Sequence, residues 1–153
     1  MRYKEIEKNK EINAYLTKGN ANLGQLGFTD HSQAHCVQVA HQAGKILKRF
    51  GYSEHEIELA KIAGYMHDIG NAINRTHHAE YGALLANELL KDTDMSLEDR
   101  ITVVSAIGNH DESTGSPVDV ISAALIIADK TDVRRSRVRQ KERSAFDLSL
   151  IHI

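Results

Sequence analysis

Apolar residues recur at three- and four-residue steps along nearly the whole chain, the period of helices that each bury one face. The clearest stripe runs from Ser32 to Phe50, where Cys36, Val39, Ala40, Ala43, Ile46, Leu47 and Phe50 align and Gly51 supplies a stop. Ser53 and Glu56 make a capping box for the next helix, which carries Ile57, Leu59, Ala60, Ala63 and Met66 toward an adjacent His67-Asp68 pair. Thr76 is read as the cap of a helix over 77–91. Ser96 is read as the cap of a helix over 97–109, with Leu97, Ile101, Val104 and Ile107 on one face. Residues 2–17 carry a weaker stripe of Ile6, Ile12, Tyr15 and Leu16, predicting an N-terminal helix within 1–20 that the glycines of "KGNANLGQLGFTD" break. Val118 to Asp129 is apolar nearly all round, as in a helix at the middle of a bundle. Its "VISAALII" also fits a buried strand, but its length and helical neighbours favour the helix. "DESTGSP" reads as a loop, and the expected architecture is an all-α bundle of five to six or more helices.

Composition narrows the class of partner. A chain of 153 residues fits one domain spanning 1–153. Its formal net charge of −2 gives no global attraction to nucleic acid or to an anionic membrane. The lone Cys36 cannot form an intrachain disulfide, and the Met1 end is charged and polar without an apolar signal core, so the cytoplasm is the expected compartment. The longest apolar run, Ile121 to Ala128, is too short to span a bilayer. Nine histidines, in a chain with no tryptophan and one proline, are the residue type with most to explain.

Helix periodicity brings several of them to one side. His35 aligns with Val39 and faces the bundle, with His31 one turn earlier on the same side. His67 falls one turn after Ala63, Asp68 follows it, and His110 and Asp129 end their helices. A carboxylate at the end of an apolar helix is costly unless it is hydrogen-bonded, paired or bound to a metal. Imidazoles and carboxylates on facing helices suit first-row divalent ions.

The ordered set His35, His67-Asp68, His78, His110, Asp129 resembles the HD-domain superfamily of metal-dependent phosphohydrolases. The phrases that carry the resemblance are "HCVQVAHQAGKIL", "AGYMHDIGN", "HAEYGALLANELL" and "ALIIADKTDVRR", so that it spans a core of about 31–137. The two histidines between the HD pair and the last aspartate resemble the subgroup that holds two metals. In that subgroup His35, His67, Asp68 and Asp129 would bind one ion, and Asp68, His78 and His110 the second, with Asp68 bridging and acting in catalysis. Iron or manganese is the implied metal, with zinc, cobalt, nickel and magnesium as alternatives. His77 competes with His78 for its place, and the Gly82-Ala83 that follows favours His78.

The spacing of "HAEYGA" and "HDESTG" is most similar to bacterial dinucleoside tetraphosphate hydrolases and, more distantly, to cyclic-di-GMP phosphodiesterases. Asn71 stands where such relatives often carry lysine, and no Gly-Tyr-Pro follows Gly115. The chain stops at the apolar "LSLIHI", where relatives usually continue with another helix. Arg135, Arg139 and Arg143 recur at four-residue steps, which reads as a solvated charged face. Lys130, Arg134, Arg135 and Arg75 are candidates for binding substrate phosphate, and Lys130 also for a catalytic role in neutralising non-reacting oxygens. His31, His41, His55 and His152 are expected as surface, cap or core residues.

The resemblance therefore implies hydrolysis of a small phosphorylated substrate, such as a nucleotide; composition points to no membrane partner and argues against nucleic acid, and a homodimer is left open. Two alternatives stand beside it: a di-iron oxygenase of the same superfamily, which shares the ligand order, and a non-catalytic module that senses a nucleotide, which would lack some of the ligands.

Overall fold

The computed structural model describes residues 1–133, and these form seven α-helices with no strand among them. In chain order they are α1 (Tyr3–Glu7), α2 (Lys10–Gln25), α3 (Gln33–Arg49), α4 (Glu54–Met66), α5 (His78–Lys91), α6 (Leu97–Gly108) and α7 (Val120–Thr131), with a 3₁₀ turn at Ile69–Ala72 between α4 and α5. The basic segment with Arg134, Arg135, Arg139 and Arg143, the end "LSLIHI" and His152 lie outside the described residues.

Several ends follow the local rules read from the chain. Ser53 Oγ accepts from Glu56 N and closes a capping box with the Glu56 side chain. Ser96 Oγ accepts from Asp99 N at 3.2 Å. Gly51 adopts φ +81° just past α3, where Tyr52 N donates to Leu47 O at 3.0 Å, completing a left-handed helix stop.

Four expectations about helix ends and faces are corrected. The N-terminal segment is two helices, because Asn9 Oδ1 accepts from Ile12 N at 2.9 Å and starts a new helix there. The glycines at 19 and 24 do not break α2, which buries Leu16, Gly19 and Leu23 and ends only where Gly27 takes φ +82°. Thr76 does not cap α5: His77 occupies that position with φ 61°, and its side chain makes no cap bond. On α6 the buried face holds Val103, Ala106 and Ile107, whereas Leu97 is 60 % and Ile101 56 % exposed.

The helix at the middle of the bundle is α4, not α7. It packs against α1, α3, α6 and α7, and buries Ile57, Leu59, Ala60, Ile62, Ala63, Tyr65 and Met66, so that both its faces are covered. Helix α7 buries Ile121, Ala124, Leu125 and Ala128 on one side and leaves Ile127 exposed on the other. No helix among the described residues is long and apolar enough to cross a membrane.

Two glycines set how closely the site-bearing elements approach. A Cβ on Gly64 of α4 would come within 2.9 Å of Ala40 Cα, so α3 and α4 cross backbone to backbone beside His35 and His67. A Cβ on Gly70 would fall 1.9 Å from the His78 carbonyl oxygen and 2.6 Å from Gly82 N, so only glycine lets the 3₁₀ turn lie against α5.

Candidate metal centre

His35 enters from α3, His67 and Asp68 from the end of α4, His78 from the start of α5, His110 from the residue pair after α6, and Asp129 from the last turn of α7. The chain thus brings together all six residues expected as ligands. His35, His67, Asp68, His78 and His110 are buried, and Asp129 is half-buried.

Three of the four imidazoles are oriented by one device. His67 Nδ1 lies 2.6 Å from Gly64 O, His110 Nδ1 2.6 Å from Ile107 O, and His78 Nδ1 3.1 Å from Arg75 O, in each case the carbonyl three residues back. A carbonyl only accepts, so each Nδ1 carries the proton and donates it. In the neutral ring the lone pair is then on Nε2, turned toward the middle of the site. His35 is held differently, its Nδ1 2.7 Å from Asp132 Oδ2.

The inward atoms divide around Asp68. Its Oδ2 is 3.4 Å from His35 Nε2 and 3.2 Å from His67 Nε2, and Asp129 Oδ1 is 3.2 and 3.3 Å from the same two nitrogens. Its Oδ1 faces the other pair, 3.8 Å from His78 Nε2 and 3.9 Å from His110 Nε2. Those two Nε2 atoms are 3.2 Å apart. In the neutral rings, two lone pairs that face each other across a buried gap repel.

The donor set fits divalent metal. The Nε2 atoms of His35 and His67 are buried and make no well-formed hydrogen bond, and they face the carboxylate oxygens of Asp68 and Asp129, an arrangement of donors that a shared cation satisfies. The Nδ1 bonds to carbonyls and to Asp132 are the outer contacts that fix the tautomer of a metal-binding imidazole. Donor atoms of His35, His67 and Asp129 lie within 4.8 Å of one another, as do those of His67, Asp68 and His110, and those of His31, His35 and Asp68.

Burial raises the cost of every charge here, and the neighbours decide which way each group shifts. Asp68 is held well below the usual carboxylate range, because the His67 and His31 imidazoles outweigh its burial. Asp129 is likewise depressed, by His67 and His35 against burial. Burial pushes His67 down, but the Asp68 and Asp129 charges more than reverse this and hold it well above the ordinary imidazole value. His35 is raised in the same way by Asp129 and Asp68. In the second group burial wins: His78 is lowered, and His110 is brought down to about 4.

A cavity of about 160 Å³ opens onto this cluster, lined among others by Arg75, Asp111, Glu112 and Lys130. Lys130 Nζ pairs with the Glu112 carboxylate at its rim. Arg75 donates from Nη1 to Asn71 Oδ1 at 3.2 Å and lies over the Phe28 ring, 5.2 Å from its centre. Two of the four candidate phosphate contacts therefore line the cavity, while Arg134 and Arg135 lie outside the described residues.

His77 is turned outward beside Glu80, so His78 is the histidine that reaches the cluster. His31 belongs to it as well. Its Nδ1 is 2.5 Å from Asp68 Oδ2, and its backbone N–H donates to Asn20 Oδ1 at 2.9 Å, which ties it to α2. This corrects the expectation of a surface, cap or core role for His31, and its one-turn spacing to His35 is the signal in the chain that points to the site. Asp132 was signalled only by its three-residue offset from Asp129, and Asp111 by nothing beyond lying next to His110. Burial raises the Asp111 carboxyl, and bonds from Ser113 N and Oγ outweigh it and hold the group below the ordinary range.

The HD domain model matches residues 33–145, which cover most of the chain. The chain belongs to the HD-domain family. An uncharacterised protein of the archaeon Methanocaldococcus jannaschii is 28 % identical over 91 % of this HD-domain chain, which spans 62 % of that relative. Ribonuclease Y of Aster yellows witches'-broom phytoplasma is 33 % identical over 78 % of the chain, and that of Bacillus pumilus 30 % over the same share. The HD-domain chain spans only 22 % of either ribonuclease. No solved structure matches it.

Proposed function

We propose that this HD-domain chain is a metal-dependent phosphohydrolase that acts on a nucleotide or other small phosphoester through a binuclear site. The observation that carries the reading is the division of the donors around Asp68, with His35, His67 and Asp129 grouped toward Oδ2 and His78 and His110 toward Oδ1. His35, His67, Asp68 and Asp129 would hold one ion, and Asp68, His78 and His110 the other. The mixture of nitrogen and oxygen donors suits iron or manganese, with zinc, cobalt, nickel and magnesium as further candidates. Divalent ions bound there supply Lewis acidity toward a phosphoryl oxygen and a more acidic water.

The chain's own side chains do the rest. The outward Nδ1 bonds hold the imidazoles in place, and Arg75 and Lys130 neutralise phosphate oxygens that do not react. The relatives named ribonuclease act, by that name, on a phosphodiester polymer, in keeping with a phosphoester substrate.

The test is elemental analysis of untagged protein purified without oxygen, followed by phosphate release from a panel of nucleotides. Two equivalents of metal per chain and metal-dependent release, both lost or sharply reduced in Asp68→Ala, are expected. Full release retained by Asp68→Ala would sink the assignment.

A further inference from the structure

Beside the metal centre lies a second, larger cavity of about 320 Å³, where the C-terminal end of α2 meets the 3₁₀ turn and the segment that follows. The metal-centre cavity, at about 160 Å³, has room for a phosphoryl group but falls below the range of pockets that enclose a whole small ligand. The second cavity is within that range. Arg75 lines both, so the two meet at that residue.

The lining of the second cavity is chemically uniform. Of its eight side chains four are amides, three are aliphatic, and only Arg75 is charged. Without a carboxylate it offers no negative charge to a cation, and its single positive charge is shared with the metal centre. Amide edges between aliphatic walls suit a flat, uncharged ring that carries both donors and acceptors, the pairing that lets Asn and Gln read a nucleobase.

Asn71 holds Arg75 in place. Arginine only donates, so the bond from Arg75 Nη1 fixes Asn71 Oδ1 toward the guanidinium. Asn71 is 2 % exposed and its Nδ2 is enclosed by protein, so its part is to anchor Arg75 between the two cavities.

We infer that this cavity is the subsite for the nucleoside part of a nucleotide whose phosphate lies at the metal centre. Arg75 stands between the two parts, and the amide edges of the lining face the nucleoside. The inference rests on the phosphohydrolase reading for the phosphate half, but nucleoside binding can be measured without it.

The test uses Ile73→Trp, at an exposed position that lines the second cavity and not the one at the metal centre. Adenosine, guanosine, cytidine and uridine are titrated into the metal-free protein while backbone amide resonances are followed. At least one nucleoside is expected to shift the amides of 22–26 and 71–75 saturably, and Ile73→Trp to weaken that binding by about tenfold or more. In the metal-loaded protein the same substitution is expected to raise KM for nucleoside monophosphates about tenfold. Its kcat/KM for p-nitrophenyl phosphate, which has no nucleoside, stays unchanged.

Absence of binding by all four nucleosides at millimolar concentration, with KM for nucleotides unaffected by Ile73→Trp, overturns the subsite while hydrolysis of p-nitrophenyl phosphate keeps the phosphohydrolase reading. If no phosphoester is hydrolysed, that reading fails, and the nucleoside titration alone decides the subsite.

Discussion

The bond between His35 Nδ1 and Asp132 Oδ2 is 2.7 Å long, and both side chains are fully buried. A carboxylate behind a metal-binding imidazole fixes its tautomer and raises its basicity, and losing such a partner typically costs 10–100-fold in metal affinity. Asp132→Asn preserves the shape and removes the charge, so metal affinity measured by competition with a chelator is expected to fall by roughly that factor. The amide can still accept the Nδ1 proton, so the fold should persist, and an unchanged affinity would exclude a positioning role for Asp132. His31 acts at the same scale. It approaches Asp68 through Nδ1, whereas the four other imidazoles present Nε2 to the cluster.

At the scale of the elements, the 3₁₀ turn is where local chemistry and tertiary packing meet. The added Cβ of Gly70→Ala would meet backbone atoms of α5, which cannot swing aside as a side chain would. Helix α5 must move, and His78 at its first turn moves with it. The cost is expected at about 1–3 kcal/mol in chemical denaturation, the range for overpacking a well-filled site. The metal content should fall toward the share held without His78. Gly108→Ala is the matched comparison, because its Cβ meets nothing nearer than Ala83 Cβ at 3.4 Å. That substitution should be neutral or stabilise by up to ~1 kcal/mol. Equal effects from the two alanines would show that close approach at Gly70 does not govern the position of α5. The same element accounts for part of what the chain concealed: Gly19 and Gly24 read as breakers, yet α2 runs through them because it packs on this turn.

For the whole molecule, the shifted groups predict how stability depends on pH. His67 and His35 have folded values above the ordinary imidazole value of about 6.5, so their stabilisation is complete below it and is lost as the pH rises through the folded values. Asp68 and Asp129 are depressed, and theirs is present above about 3.9 and lost toward acid. His78 and His110 are lowered by burial, so stability also falls below about 6.5 as the unfolded chain takes up protons that these rings refuse. The metal-free protein should therefore be most stable near pH 6.5 and decline on both sides. Urea midpoints across that range check it, and a monotonic profile would contradict the electrostatic account. Metal must displace the proton from His67, so its binding should release protons near neutrality and abolish the alkaline decline. Calorimetry in buffers of different ionisation enthalpy counts them.

The sequence by itself determined the all-α class, the Ser53 and Ser96 caps and the stop at Gly51, because those depend on residues within one turn of each other. Helix period also turned His35 and His67 inward and put Asp68, His110 and Asp129 at helix ends, while His78 came only with the resemblance to the HD-domain superfamily. Tertiary structure alone decided that α4 rather than α7 is central, and that Leu97 and Ile101 face outward. An apolar stripe shows that a face can be buried, while the neighbouring helices decide whether it is. Only the fold joined Asp132 to His35 and Arg75 to both cavities, because those pairings cross from one helix or turn to another and leave no periodicity in the chain.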